Sequence, residues 1–286
     1  MRSCVKTFLR LQETAVAKER TKKMKTEEVM QMLKEGVGRV FSSEEYQKYL
    51  TVMSRFPSYS YSNVLLIYMQ KPDASYIAGY KTWQKKFNRR VRAGEKGIRI
   101  IAPMKFKRKE NDQDQEFLRF RSACVFDISQ TEGDPLPSGS IDELQGDVLD
   151  YEKLMTILKE ISPVYIRKAT ICGDVKGYFD RTNEEIVIKE GMSRLQEVKT
   201  CLHEITHAIL HAEKNPEKDR RTCEVEAEST AFVVCKRLGF DTDDYSFPYI
   251  AGWSSGKEIK ELLGSAATIQ RTADKLITEI ERRRNK

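Results

Sequence analysis

All three histidines of this 286-residue chain, His203, His207 and His211, lie in one short stretch. The first two form the spacing His-Glu-x-x-His, which on a helix puts two imidazoles one turn apart on one face, where both can reach a single zinc ion (Zn2+). Glu204, between them, is then positioned to take a proton from the attacking water. The spacing therefore predicts a helix near 192–213 with His203 and His207 as metal ligands and Glu204 as the general base.

Apolar residues on the same predicted helix test this interpretation. They recur at spacings of three and four residues: Leu195, Val198, Leu202, Ile205 and Ile209. At about 100° per residue, His203 and His207 lie roughly 150° away from this stripe. Two hydrogen-bonded core histidines would lie within the stripe. The observed position instead predicts that both imidazoles face a cleft.

A third ligand has to come from another element. Eight residues of helix separate His211 from His203 by roughly 12 Å, too far for coordination of one ion. A second predicted helix, 223–238, offers Glu224 and Glu228 one turn apart on a face of small and apolar residues. Buried carboxylates need a metal or a hydrogen-bond partner. We therefore expect Glu224 as the third metal ligand and Glu228 as the acceptor of a histidine N–H. Glu226 points about 160° away from Glu224, which predicts a solvated position. The alternative is that all of these acids belong to a solvated helix face.

Charge divides the chain into two halves. Residues 1–126 carry 27 Lys/Arg and 13 Asp/Glu, giving 27 − 13 = +14, and residues 127–286 carry 23 and 30, giving 23 − 30 = −7. The segment 127–152 has eight acids, no Lys or Arg, and a Gly- and Pro-containing turn sequence. We therefore expect three parts: an N-terminal domain at 1–128, an acidic linker at 129–148 and a C-terminal domain at 149–286.

Periodicity predicts an α+β fold, with a mixed α/β N-terminal domain and a helix-rich C-terminal domain. Helices are expected at 5–35, 43–56, 61–70, 80–88, 150–161, 192–213, 223–238 and 256–283, and strands at 97–102, 117–127, 164–168 and 184–189. No run of about 18 apolar residues and no signal-peptide pattern occurs, so we expect a cytoplasmic protein without a membrane partner.

The basic half concentrates its charge in residues 81–109, which hold twelve Lys/Arg and one acid. Aromatic residues are interleaved with these cations. Cations neutralise phosphates and aromatic rings stack on unpaired bases, so the combination suits single-stranded nucleic acid. The alternative is a solvated basic face with its aromatics in the core. The predicted contact residues are Tyr80, Trp83, Lys85, Lys86, Arg89, Arg90, Arg92, Lys96 and Arg99.

Two resemblances follow from these motifs. His203-Glu204-x-x-His207 followed by Glu224-x-x-x-Glu228 resembles the gluzincin arrangement of zinc metallopeptidases. That resemblance implies peptide hydrolysis, with strand 184–189 as the edge that aligns an extended substrate peptide. An oxyanion-stabilising residue is less well marked, and Tyr245 and Tyr249 are the candidates.

The second resemblance covers about residues 25–250. The runs beginning Tyr61-Ser-Asn-Val, Gly79-Tyr-Lys-Thr-Trp, Val91-Arg-Ala-Gly-Glu and Val125-Phe-Asp-Ile are similar to the N-terminal domain of ArdC-type antirestriction proteins. This family combines a single-stranded-DNA-binding domain with a zincin-like domain, usually on mobile genetic elements. The resemblance implies an antirestriction protein. Two alternatives stay open: a zinc protease that cleaves one regulatory protein, such as a repressor, and a DNA-binding protein with a non-catalytic zinc site.

Overall fold

The computed structural model describes residues 26–41, 45–110, 113–136, 151–213, 218–240, 247 and 250–284. These residues fall into two compact units, one made of 26–36 and 66–136 and the other of 37–65 and 151–284. Both units mix helices with small sheets, so the α+β prediction is confirmed. Residues 37–65 pack with the C-terminal half of the chain, whereas the partition at 129–148 remains a prediction.

Among the described residues, three helices precede the first strand: α1 (Thr26–Phe41), α2 (Glu45–Arg55) and α3 (Tyr61–Gln70). The first unit continues through β1 (Ile77–Gly79), α4 (Tyr80–Phe87), β2 (Arg89–Val91), β3 (Ile98–Glu110), β4 (Gln113–Asp127), a 3-10 turn (Ile128–Gln130) and β5 (Thr131–Gly133). Strand β4 lies between β1 and β3, antiparallel to both, and β2 pairs antiparallel with β5. Strands β3 and β4 form the longest described hairpin of this unit. The predicted strands, 97–102 and 117–127, cover the first part of β3 and most of β4.

Trp83 fixes α4 to β4. Its ring is 0% exposed, packs against Tyr76 and Phe87, and donates its Nε1–H to the Phe126 carbonyl at 2.9 Å. Trp83 and Phe87 are one helical turn apart, so both face the same core. The prediction that Trp83 stacks on a nucleic acid base is therefore wrong, because the ring is enclosed and its N–H is already bonded.

In its described part, the second unit contains the end of α1, all of α2 and the start of α3, followed by a three-stranded sheet and five further helices. In chain order these elements are α5 (Tyr151–Ile161), β6 (Tyr165–Ala169), β7 (Gly177–Asp180), β8 (Glu185–Lys189), α6 (Arg194–Leu210), α7 (Arg220–Arg237), α8 (Ile250–Ser254) and α9 (Ile259–Arg284). Within the described residues, no helix has the length and apolar character needed to cross a membrane.

Strand β8 occupies the centre of its sheet, parallel to β6 and antiparallel to β7. Its residues Ile186, Val187 and Ile188 are at most 1% exposed. Three consecutive apolar residues need cover on both faces, which a central strand provides. The prediction that this strand forms the substrate-aligning edge is therefore wrong: β7 is the edge strand next to α6. At Gly177 of β7, an added Cβ would lie 2.7 Å from Thr200 Cγ2 of α6, so only glycine permits this close approach.

Helix α7 is the most enclosed helix of this unit, with eleven of its eighteen residues buried. Helices α2, α6 and α9 all pack on it. On the α2 side, the Tyr46 hydroxyl lies 2.8 Å from Ser229 Oγ in a buried hydrogen bond. Helix α2, which precedes the basic segment 81–109 in the sequence, thus helps to position α7, the helix that carries Glu224.

Candidate metal centre

Helix α6 presents the two histidines opposite its apolar stripe. Ser193 caps its start by accepting a hydrogen bond from the Gln196 backbone N–H. Val198, Leu202 and Ile205 are at most 1% exposed, which confirms the central part of the predicted stripe. His203 and His207 are half-buried on another side of the helix, where they face α7.

Three ligand atoms converge between α6 and α7. The Nε2 atoms of His203 and His207 are 3.0 Å apart, and Glu224 Oε2 lies 3.4 Å from the first and 3.6 Å from the second. Within the described part of the chain, these are the three metal-ligating side chains that approach one another this closely. A tetrahedral zinc ion with bonds of about 2.0–2.1 Å spaces its ligand atoms about 3.4 Å apart. The donor set and its spacing therefore fit a divalent metal ion.

Proton affinities at these groups reflect the same convergence. Burial lowers the pKa of His203, but its hydrogen bonds to Glu224 and Glu228 outweigh that effect and raise the pKa to about 9. The pKa of Glu224 lies well below its usual range because His203 and His207 stabilise its carboxylate. Two acids thus create a negative potential at the imidazoles, which favours a cation there.

Glu228 lies one turn beyond Glu224 on α7. Its Oε2 is 3.0 Å from His203 Nδ1, and Lys199 Nζ is 3.3 Å from its Oε1. An acceptor at Nδ1 keeps the proton on that nitrogen and leaves Nε2 free to bind a metal. This is the position at which the sequence expected an acceptor of a histidine N–H.

Glu204 is 7% exposed, and the backbone of Phe179 in β7 lies close enough to its carboxylate to stabilise the charged form. Burial raises its pKa, while the neighbouring His203 and His207 act in the opposite direction. A carboxylate with raised proton affinity beside a metal site has the properties of a general base.

A further series of polar contacts, absent from the sequence predictions, begins at His207. His207 Nδ1 lies 3.1 Å from His211 Nδ1, His211 Nε2 lies 3.0 Å from Glu226 Oε2, and Lys218 Nζ lies 2.7 Å from the same Glu226 oxygen. Glu226 is 0% exposed, so its predicted solvated position is wrong. The reason is that α7 is covered on several sides, so an acid opposite Glu224 is also buried. The four-residue spacing from His207 to His211 is the sequence feature that could have indicated the contact between these two rings.

Tyr245 and Tyr249, the candidate oxyanion stabilisers, lie outside the described residues. The remaining predicted site residues are in the first unit. Lys85, Lys86 and Lys96 are exposed there, and the Tyr80 ring is 48% exposed.

The predicted arginines of the first unit are engaged in local contacts. Arg89 donates to Thr131 Oγ1 at 2.8 Å and to the Thr131 carbonyl at 3.1 Å, which ties β2 to β5. Arg90 pairs with Glu132 at 2.7 Å and Arg92 with Glu95 at 2.7 Å. The backbone of Arg99 exchanges hydrogen bonds of 2.8 Å with the Gln70 side chain.

An exposed aromatic residue on the hairpin was missed. Phe120 of β4 is 60% exposed and lies between Arg119 and Arg121, which are both exposed. Side chains alternate along a strand, so Phe120 shares a face with Phe126, whose ring centroid is 6.3 Å from that of Tyr80. Two exposed aromatic rings therefore lie on this face of the described part of β4. Phe120 is at one end, and Tyr80, beside Phe126, is at the other.

Comparisons with known families match both units. Residues 18–132 match the N-terminal domain of anti-restriction factor ArdC, and residues 165–235 match the IrrE N-terminal-like domain, a peptidase family. The chain is 28% identical over 98% of its length to an uncharacterized protein of Bacillus anthracis and spans 56% of that relative's length.

Two solved structures share the fold. Both are of the antirestriction protein ArdC from the R388 plasmid. The metal-free form gives a TM-score of 0.54 at 22% identity, covering 78% of this chain and 85% of that one. The Mn(II)-bound form gives 0.58 at 20% identity, covering 87% and 97%. With a match to the ArdC N-terminal domain, a match to an IrrE-like domain after it, and the fold of ArdC, this chain is similar to ArdC-type proteins in domain order and in fold.

Proposed function

We propose that this chain is an antirestriction protein of a mobile genetic element. In this proposal it binds single-stranded DNA with its N-terminal unit and hydrolyses peptide bonds with its second unit. The observation that carries the second activity is the position of Glu204. It is a buried carboxylate between two half-buried histidines, and it lies beside the backbone of the edge strand β7.

His203, His207 and Glu224 would hold the metal ion in this proposal. Two imidazoles and one carboxylate form a donor set that suits zinc at a catalytic site. The related R388 structure contains Mn(II), so metal identity is part of the test. A bound zinc ion would polarise the substrate carbonyl and acidify the attacking water.

Glu204 supplies the proton transfers. Its carboxylate takes a proton from the attacking water and later delivers it to the leaving amine. Because burial raises its pKa, the group gives up that proton less readily to bulk solvent than an exposed glutamate would.

Strand β7 would align the substrate. The Lys189 N–H donates to the Lys176 carbonyl, which makes these residues a hydrogen-bonded antiparallel pair. By alternation, the backbone groups of Gly177 and Phe179 point away from β8. The Phe179 backbone lies beside the Glu204 carboxylate, and its carbonyl remains on the outer edge, where an extended peptide can pair.

The DNA-binding part rests on charge and exposed aromatic rings. Residues 1–126 carry a net charge of +14 (27 − 13), and Tyr80 and Phe120 expose their rings beside exposed cations. Unpaired bases stack on such rings while Lys and Arg neutralise phosphates. The corrected contact set replaces Trp83 with Phe120.

Three measurements test the proposal on the purified chain. Metal analysis should find about one zinc ion per chain, and His207→Ala should lose it. A mixed peptide library analysed by mass spectrometry should be cleaved by the wild type and not by Glu204→Gln. A single-stranded oligonucleotide should bind with an affinity that falls steeply with salt. If no metal is bound or no peptide is cleaved, the proposed hydrolase activity is wrong. If the oligonucleotide does not bind, the proposed DNA-binding activity is wrong.

One assay in cells separates the alternatives. If protection of incoming DNA persists in Glu204→Gln with zinc still bound, the site serves binding alone. If protection requires Glu204 and a single host protein is cleaved, the chain is a specific protease that DNA localises. A purely structural zinc site would not need a buried general base beside it, which favours the catalytic proposal.

A further inference from the structure

We infer that His211, held by Glu226 and Lys218, is a positioning residue that orients His207 for metal binding. This inference rests on the proposed metal site and adds residues that the ligand set does not include. The contacts form a continuous chain from His207 Nδ1 through the His211 ring to the Glu226 carboxylate and the Lys218 ammonium.

The tautomers of the two histidines determine which atom donates in each of these hydrogen bonds. If His207 binds a metal through Nε2, its neutral ring carries the proton on Nδ1, which must then be donated. The group 3.1 Å away is His211 Nδ1, so that nitrogen accepts. His211 therefore carries its own proton on Nε2, 3.0 Å from the Glu226 oxygen. A carboxylate can only accept, so it selects this tautomer of His211 and, through it, the tautomer of His207.

Burial makes the arrangement rigid. His211 is 3% exposed and Glu226 is 0% exposed, so neither can replace its partner with bulk water. A buried carboxylate without compensation is unfavourable. Glu226 is compensated by the Lys218 ammonium, which contacts both of its oxygens.

The local backbone places these groups where they meet. His211 is the C-cap of α6, and its N–H donates to the His207 carbonyl. Lys218 directly precedes Asp219, the N-cap of α7, which accepts a hydrogen bond from the Thr222 N–H. Glu226 thus joins the end of α6 to the beginning of α7.

The two ligand histidines have equivalent support. His203 Nδ1 reaches a glutamate of α7 directly, and that glutamate pairs with a lysine (Glu228 and Lys199). His207 Nδ1 also reaches a glutamate of α7 paired with a lysine, but through His211. An acceptor at each Nδ1 leaves both Nε2 atoms, 3.0 Å apart, available to one ion. We therefore assign His211, Glu226 and Lys218 the same purpose for His207 that Glu228 serves for His203.

The test measures Zn2+ affinity by competition with a chromophoric chelator. His211→Leu removes the acceptor at similar volume and should lower the affinity about 10- to 100-fold, the usual effect of losing a group that orients a metal ligand. His211→Gln can accept with its carbonyl and donate with its amide, so it should restore most of that loss. Thr206→Val is the matched control. The Thr206 hydroxyl is buried in the same helix, and it donates to the Leu202 carbonyl rather than to a group of the metal site. This control should leave the affinity unchanged.

The outcomes separate this inference from the proposed function. A wild type that takes up no Zn2+ overturns the metal site itself. A wild type that binds Zn2+ while His211→Leu binds equally well overturns only the positioning role. Equal losses in the Leu and Gln variants would also overturn it, since rescue requires the hydrogen bonds. If His211→Leu does not fold, the Zn2+ affinity of Lys218→Met decides. A several-fold loss of affinity supports the positioning role, and an unchanged affinity overturns it.

Discussion

The Phe179 backbone of the edge strand β7 lies close enough to the Glu204 carboxylate, in the middle of α6, to stabilise its charged form. The predicted general base therefore lies beside the backbone of the strand proposed to align the substrate. A peptide that paired with β7 would lie beside the group that activates its attacking water. Substrate alignment and proton transfer thus share one structural element.

Glu204→Gln should abolish peptide hydrolysis while leaving metal binding intact. The amide keeps the size and an acceptor oxygen but cannot take a proton, so cleavage of a mixed peptide library should fall about 10²- to 10⁴-fold. Metal content is measured on the same preparation. Cleavage at the wild-type rate with zinc bound would show that another group is the base.

Gly177→Ala should destabilise the second unit. Its new Cβ would lie 2.7 Å from Thr200 Cγ2 and 3.0 Å from the Val187 carbonyl oxygen, so β7 or α6 must shift. We expect the free energy of unfolding to fall by about 1–3 kcal/mol, the usual cost of overpacking, in a denaturant titration. Peptide cleavage should also fall because the Phe179 N–H moves with the strand.

Gly252→Ala is the control for that experiment. It lies in α8, and a Cβ there meets nothing within 4 Å. Its stability should equal or exceed that of the wild type, because alanine is the better helix former. Equal stability of the Gly177 and Gly252 variants would contradict the close approach of β7 to α6.

Tyr46→Phe should lower stability although it lies far from the metal site in sequence. The hydroxyl is buried and bonds Ser229 Oγ at 2.8 Å, so its removal leaves a buried serine without this partner. Losing such a bond costs about 1–3 kcal/mol in the free energy of unfolding. Tyr165→Phe removes a hydroxyl from a ring that is 72% exposed and should have no measurable effect. Equal effects would show that α2 does not stabilise α7.

The sequence was sufficient for contacts that are local. His203 and His207 are found from a spacing of four residues, and Glu224 and Glu228 from the next helix, because one helical turn relates each pair. Glu226 was misjudged because a single helix does not reveal which of its faces other elements cover. Only the packing of α2, α6 and α9 around α7 shows that this acid is buried.

Strand order was also beyond reach of local patterns. Strand β7 contains only Gly177–Asp180 and has no alternation that marks it. The sequence therefore predicted only β8 close before the helix that carries His203 and His207. Trp83 was misjudged for a related reason. An aromatic ring among cations suits a stacking surface, but its partners Tyr76 and Phe126 are brought to it by the fold.

Phe120→Ala should weaken binding of a single-stranded oligonucleotide about 5- to 150-fold, the range expected from losing one base–aromatic stack. Trp83→Phe should instead leave the DNA affinity unchanged and lower the thermal stability, because the Trp83 N–H bonds the Phe126 carbonyl in the core. Fluorescence anisotropy and thermal unfolding on both variants distinguish the two roles. The reverse pattern would contradict the enclosed position of Trp83 and indicate that its ring contacts DNA.

Lys85→Gln with Lys86→Gln should reduce the salt dependence of oligonucleotide binding. Both side chains are exposed on α4, and each phosphate contact on a single strand contributes about 0.7 to the slope of log affinity against log salt. The double variant should therefore flatten that slope by about 1.4 and weaken binding most at low salt, where counterion release contributes most. Lys260→Gln with Lys275→Gln makes the same change in net charge on exposed positions of α9 and should leave the slope unaltered. If both double variants flatten the slope equally, overall charge rather than the α4 surface attracts the strand, and these two lysines make no phosphate contact.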